Sequence, residues 1–253
     1  RRAIGREEIK VLYRPVVRLE DRTIAGFEAQ ARWDHPKHGR IPTTEFISLA
    51  ERSGLMIPLG LFVLDRAARQ LSDWQERLGR DVPLFVTVSI GSRQLLRHDL
   101  INDVKSVLSR SALQRGSLKL EFSESLVMEN PEYAAQVLAR VRELGAGLVL
   151  DDFGTGYSSL SYLQRFPFDT LKIDQSFVRG PTAKHRRVIL RTIIGLAHEL
   201  HMDVMSEGAE GEDDALDLYD LGCEFASGLL FGQPMTAQEA GTLLFREEEA
   251  MIA

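Results

Sequence analysis

Apolar positions along the chain fall into two alternating kinds of run. Short apolar or β-branched runs read as buried strands, and longer stretches with apolar residues three and four apart read as helices with one buried face. The strand-like runs are Val11–Val17, Thr23–Ala31, Leu84–Val88, Leu118–Phe122, Gly147–Leu150, Thr170–Ile173, Asp203–Ser206 and Cys223–Ala226. Thr43 or Thr44 can cap a helix to about Arg52, ended by Gly54. A longer helix stacks Leu64, Ala67, Ala68, Leu71, Trp74 and Leu78 and stops at Gly79. Leu100–Leu108 reads as helical. Asn130 caps a helix with Pro131 at its first position; it buries Ala134, Val137, Leu138, Val141 and Leu144 and ends at Gly145. Further helices run from about Lys184 to His201, from about Asp213 to Leu221, and after Pro234.

Strands that alternate with helices imply a parallel sheet covered by helices. The number of units suits an α/β fold of the (β/α)8 TIM-like barrel type, whose usual size is about 250 residues. A doubly wound open sheet is the rival, weakened because no glycine-rich dinucleotide fingerprint opens the first unit. One domain from about 8 to 247 is expected, with residues 1–7 as a linker remnant and 248–253 as a charged tail. The chain starts Arg1-Arg2-Ala3 without Met, which suggests a fragment with sensory or signalling domains upstream.

Composition narrows the chemistry. A formal net charge of -6 argues against DNA or RNA as a partner, which would need a basic face. It leaves room for an anionic ligand held through metal ions. The one cysteine, Cys223, reads as a buried packing residue and excludes an internal disulfide, so a cytoplasmic domain is expected. No run approaches the roughly 20 apolar residues of a membrane span; whether a larger protein is membrane-anchored stays open.

Asp151-Asp152-Phe153-Gly154 carries the sharpest signal. Two adjacent carboxylates emerge where a strand gives way to a glycine-rich turn, and they repel unless a cation lies between them. A plain surface turn is the bland alternative. In a barrel, however, residues at strand ends converge on one mouth. Glu28, Ser89, Glu121, Asp151, Asp152, Lys172, Asp174, Glu207, Glu210 and Ser227 all fall at or near such ends. Crowded carboxylates with Lys172 as the one cation suit Mg²⁺ or Mn²⁺ rather than Zn²⁺. No histidine is expected at a strand end, and His198 with His201 reads as a solvated helix face. Two ions sharing a carboxylate would activate water and clamp a phosphoryl oxygen, with Lys172 stabilising the nucleophile or the developing charge. The Asp-Phe-Gly does not mark a protein kinase, because no glycine-rich loop, strand lysine or His-Arg-Asp precedes it.

These motifs, in this order, resemble the EAL family of bacterial cyclic di-GMP phosphodiesterases. Tyr13-Arg14-Pro15, Glu28-Ala29-Gln30 with Arg32-Trp33 and His35-Pro36, and Glu121-Phe122-Ser123-Glu124 are similar to its early motifs. The stretch 151–160, Lys172-Ile173-Asp174 and Glu207-Gly208-Ala209-Glu210 match its later ones. The resemblance implies a barrel whose first strand is antiparallel. It also implies two Mg²⁺ or Mn²⁺ ions, and hydrolysis of cyclic di-GMP to pGpG. Carried over, Glu28, Ser89, Glu121 and Asp151 would ligate the first ion, and Asp151, Asp152 and Glu207 the second. Lys172 would hold the attacking water, Glu210 would support the water network, Arg32 would meet a phosphate, and Glu124 would brace loop 151–160. A homodimer coupled to that loop is implied as well.

Four positions depart from the family pattern. Ser89 stands where the family has an Asn ligand, Ser227 and Arg14 where it has Gln, and Gln30 where it has Leu. Gln30, Arg14 and Ser227 are therefore the candidate substrate-binding positions that differ. The resemblance supports an enzyme, or alternatively a degenerate receptor that binds cyclic di-GMP without cleaving it.

Overall fold

The computed structural model describes residues 8–79, 83–96, 99–154, 160–179 and 183–252. Its barrel strands are β1 (Ile9–Arg18), β2 (Ile24–His35), β4 (Phe85–Ser89), β5 (Leu118–Ser123), β6 (Gly147–Phe153), β7 (Thr170–Ile173), β8 (Asp203–Ser206) and β9 (Phe225–Ala226), with β3 (Gly39–Ile41) appended. The strands follow the order β1-β9-β8-β7-β6-β5-β4-β2-β3, and a β1–β2 pairing closes the ring. Pairings from β2 through β4 to β9 are parallel, whereas β1 runs antiparallel to both neighbours. The expected fold, including the reversed first strand, is thus observed.

Helices lie between the strands: α1 (Thr43–Arg52), α2 (Met56–Leu78), α3 (Ser92–Leu95), α4 (Leu100–Arg110), α5 (Glu124–Glu129), α6 (Pro131–Leu144), α7 (Leu160–Leu163), α8 (Gln175–Val178), α9 (Ala183–Glu199), α10 (Glu212–Asp220) and α11 (Ala237–Ile252). Helix α6 is built as its sequence dictates. The Asn130 side chain accepts from the Tyr133 amide at 3.3 Å, and Gly145 leaves the helix at φ 105. Helix α11 continues through the boundary expected near 247.

One large apolar layer between sheet and helices joins Phe27, Val88, Leu120, Phe122, Leu148 and Leu171 to Leu71, Trp74, Val104 and Leu138. A smaller cluster of Val16, Ala25, Phe85 and Met205 plugs the barrel where the parallel strands begin. Gly26 makes the plug possible, since a Cβ there would meet the Phe85 carbonyl oxygen at 2.5 Å. With that end filled, the polar residues of the opposite end face a closed floor rather than a pore.

Three expectations need correction. Strand β2 does not end near Glu28. Only Gly26–Ala29 pair with β4; the rest continues past the rim as an arm paired with β1 and β3. An antiparallel partner supplies hydrogen bonds where the barrel no longer does, so the strand runs on to His35. His35 therefore does end a strand, contrary to expectation, and its Nδ1 accepts from the amides of Lys37 and His38 in the turn that follows. Thr43 and Thr44 cap nothing: Pro42 is the cap residue of α1 and no side chain bonds the helix start.

Candidate functional site

Barrel pleating aims alternate residues of each strand inward, and the second half of each parallel strand brings them to one rim. Lys172, the third residue of β7, is 2% exposed and sits among carboxylates from β2, β5 and β6 and from Glu207, just past β8. Its Nζ lies 2.6 Å from Glu207, 3.3 Å from Glu121, 3.3 Å from Asp151 and 3.7 Å from Glu28. Burial alone would favour a neutral amine. The four surrounding anions outweigh it and hold the ammonium well above the ordinary lysine range. Lys172 is the one cation expected at this rim, but Arg14 is a second: its Nη1 stands 4.0 Å from Glu28 Oε2.

Strand β6 carries the two adjacent aspartates by breaking its own regularity. Its register with β7 shifts between Leu150 and Phe153, and Asp152 takes φ 55, a left-handed conformation unusual for a residue with a Cβ. The strand thus runs through the pair to Phe153 rather than stopping at Leu150. Asp151 points to Lys172 while its Oδ1 accepts from the Asp152 amide at 2.8 Å. Burial pushes Asp151 up to about 8, opposed by Lys172 and reinforced by Glu121, Glu207 and Asp152. Asp152 is more exposed, and burial raises it as well.

The remaining expected residues are placed as follows. Ser89, at the end of β4, donates to Glu121 Oε2 at 2.9 Å. Glu124, buried at the start of α5, accepts from the Gly154 amide at 2.7 Å and so grips the first turn after β6. Residues 155–159 of the glycine-rich loop lie outside the described residues. Ser227 is fully buried, its amide donating to the Ser206 carbonyl, with no hydrogen bond to its hydroxyl. Gly208, at φ 85, turns the chain after Glu207 where a Cβ would meet Gln175 Cβ at 2.7 Å. Glu210 is half exposed and pairs with Arg179, not with the lysine cluster. Asp174 stays apart from Lys172 and caps α8 by accepting from the Ser176 amide at 3.0 Å. His198 bonds Glu224, while His201 lies beyond α9 at φ 59, so the two do not share a helix face. Cys223 is buried, as expected.

Arg32 opens a second part of the rim. Its Nη2 donates to Gln30 Oε1 at 2.6 Å and its Nη1 to Thr43 Oγ1 at 2.7 Å. Together with Glu28, Ser89 and Met56 these residues line a cavity of about 460 Å³ beside the carboxylates. Sequence reading missed Thr43 in this role, and missed Arg14 and Arg179 as ion-pair partners. A cross-strand signal existed for Arg14: once β1 and β2 form a hairpin, it stands directly opposite Glu28.

The donor set bears on which group the rim can hold. Among the described residues, no three His, Cys, Asp or Glu side chains close round one point to hold an ion; the carboxylates converge on Lys172 instead. Yet among the described residues the buried side-chain polar atoms lacking a hydrogen bond are Arg14 Nε, Glu28 Oε2, Thr87 Oγ1, Glu121 Oε1 and Ser227 Oγ; four belong to this rim, and Thr87 is the register partner of Glu28. Native interiors seldom leave such atoms unmatched without a missing partner. The orphaned oxygens of Glu28, Glu121 and Ser227 carry spare lone pairs, and such oxygen donors fit a hard divalent cation.

Comparison with known proteins agrees with this architecture. The family profile described as "EAL domain" matches residues 1–234. The chain is 35% identical over 240 residues to the bifunctional diguanylate cyclase/cyclic di-GMP phosphodiesterase MucR of Pseudomonas aeruginosa, covering 94% of this chain and 35% of that protein. It is 36% identical over 241 residues to the cyclic di-GMP phosphodiesterase PdeR of Escherichia coli, covering 94% of this chain and 35% of that protein. The chain thus spans about a third of the length of these curated relatives. Among solved structures, the MucR phosphodiesterase–c-di-GMP complex superposes with a TM-score of 0.89 at 34% identity, covering 94% of this chain and 96% of that one. The EAL domain of Mycobacterium smegmatis DcpA superposes with a TM-score of 0.79 at 32% identity, covering 94% and 98%.

Proposed function

Because the chain belongs to the EAL-domain family, we propose that it is a metal-dependent phosphodiesterase that hydrolyses cyclic di-GMP to pGpG. The observation that carries this reading is the buried Lys172 ammonium held by Glu28, Glu121, Asp151 and Glu207 at the barrel mouth. Lys172 and the more distant Arg14 face more carboxylates than they can neutralise, and divalent ions are the economical complement. Two Mg²⁺ or Mn²⁺ ions would be held by Glu28, Ser89, Glu121 and Asp151 and by Asp151, Asp152 and Glu207. When bound, they supply an activated water and neutralise charge on the phosphoryl oxygens.

The chain's own residues do the rest. Lys172 donates hydrogen bonds toward the attacking water, its position fixed by the carboxylates that hold it. Arg32, held by Gln30 and Thr43, offers its remaining donors to a ligand phosphate. Glu124 keeps the turn at Gly154 in place, and with it the start of the loop. Hydrolysis adds water at one phosphorus and breaks one P–O bond; the proton goes to the departing 3′ oxygen and the phosphate stays on the 5′ side.

A second reading rests on Ser89. Its hydroxyl bonds the same Glu121 that an ion would need, and it is a shorter donor than the family's Asn. On that reading the domain is a receptor that binds cyclic di-GMP intact. Purified protein incubated with cyclic di-GMP and Mn²⁺ or Mg²⁺, with products separated by chromatography, decides between them. pGpG supports the enzyme; tight calorimetric binding with the ligand recovered whole supports the receptor; absence of both binding and turnover removes both.

A further inference from the structure

We propose that Arg14 is the resident counter-ion of Glu28, holding the charge position that a divalent cation must take over when it binds. This rests on the metal-dependent reading above and deepens it by assigning a residue that sets ion affinity.

The backbone fixes the pair. Arg14 and Glu28 are direct register partners in the antiparallel β1–β2 ladder, so their side chains leave the sheet side by side. Arg14 Nη1 reaches 4.0 Å from Glu28 Oε2, yet neither Arg14 Nε nor Glu28 Oε2 makes a hydrogen bond. The attraction is therefore Coulombic, without the directional bonds that would lock it. Glu28 also stands farthest from Lys172 of the four carboxylates, at 3.7 Å against 2.6–3.3 Å for the others. Lys172 serves Glu28 least, and Arg14 supplies what is missing.

Charge balance gives the consequence. When all four are ionised, the carboxylates facing Lys172 and Arg14 outnumber these two cations and leave negative charge in excess. Removing Arg14 enlarges that excess, which strengthens the attraction for an added cation and sharpens repulsion in its absence. Arg14 thus makes the ion-free barrel sturdier and the ion-loaded one weaker.

The test compares wild type, Arg14→Gln, Arg14→Lys, Glu28→Gln and the Arg14→Gln/Glu28→Gln double variant. Mn²⁺ affinity is measured by calorimetry, and melting is followed in EDTA. Arg14→Gln should tighten Mn²⁺ binding roughly three- to tenfold and lower the EDTA melting point by a few degrees. Arg14→Lys should restore both values towards wild type, and in the Glu28→Gln background both effects of Arg14→Gln should vanish. Unchanged or weaker Mn²⁺ binding by Arg14→Gln overturns the proposal, as do effects that persist without Glu28. Failure of the underlying reading looks different. If no variant takes up Mn²⁺ while the EDTA cycle still couples Arg14 to Glu28, the counter-ion pairing stands and the displacement by metal falls with the phosphodiesterase reading.

Discussion

Lys172 shows how one side chain can decide the state of a whole site. A buried ammonium is tolerable only because four carboxylates surround it, and those carboxylates lean on it in turn. Lys172→Met should therefore cost the ion-free protein about 3–5 kcal/mol, the range for stripping one partner from a buried ion pair. Thermal melting in EDTA checks this, and added Mn²⁺ should recover part of the loss. Asp151 sets the pH response. Its folded value of about 8 lies above its ordinary value of 3.8, so the folded chain holds a proton that the unfolded chain releases. The stability contributed by that proton is full below about pH 4 and is lost as pH climbs through about 8. Denaturant unfolding in EDTA between pH 5 and pH 9 should show stability falling with pH, and Asp151→Asn should flatten the slope. A slope unchanged by that variant would mean the proton resides elsewhere.

At the scale of elements, the site depends on two departures from regular barrel geometry. Strand β6 bulges at Asp151–Asp152, which gives consecutive residues access to the same rim. Strand β2 overshoots the rim, and its arm carries Arg32 to the start of α1, where Thr43 receives it. Gln30, one pleat away on the same arm, holds the other side of the guanidinium. An arginine fixed at two nitrogens loses less freedom when it meets a phosphate than a free one does. Thr43→Val or Gln30→Leu should thus weaken cyclic di-GMP binding several-fold with little change in melting temperature. Calorimetry with an ion present measures the first and a melt the second; a large drop in melting temperature would assign these bonds to folding instead.

For the molecule as a whole, ion binding and stability are linked. An ion bound only by the folded chain at about a hundred times its dissociation constant adds about 2.7 kcal/mol, or several degrees of melting temperature for a chain of this size. Melts in Mg²⁺ or Mn²⁺ against EDTA should show that rise, and Glu121→Gln should reduce it. Much of this molecule was legible in its sequence. Thr170–Ile173 and Asp203–Ser206 form strands over the expected residues, each a short segment carrying two apolar residues between turns. Asn130, Pro131 and Gly145 marked both ends of α6 for the same local reason. What escaped was non-local. Where β2 ends depends on its partner β1, the Asp152 bulge on register with β7, and the roles of Arg14 and Thr43 on which strands and helices become neighbours. Glu121 and Asp151 stand late in their strands, a position readable from the pattern, whereas Glu28 stands mid-strand and Glu207 just past one; their shared grip on one lysine was not readable.

The reversed first strand has one further effect. In a barrel with every strand running the same way, polypeptide joined ahead of the first strand would approach from beneath, on the far side from the chemistry. Here Ile9 stands opposite Trp33, above the rim, so β1 begins on the side of the barrel that carries the chemistry. A push on β1 at Ile9 and Lys10 meets their register partners Trp33 and Arg32 without crossing a barrel wall.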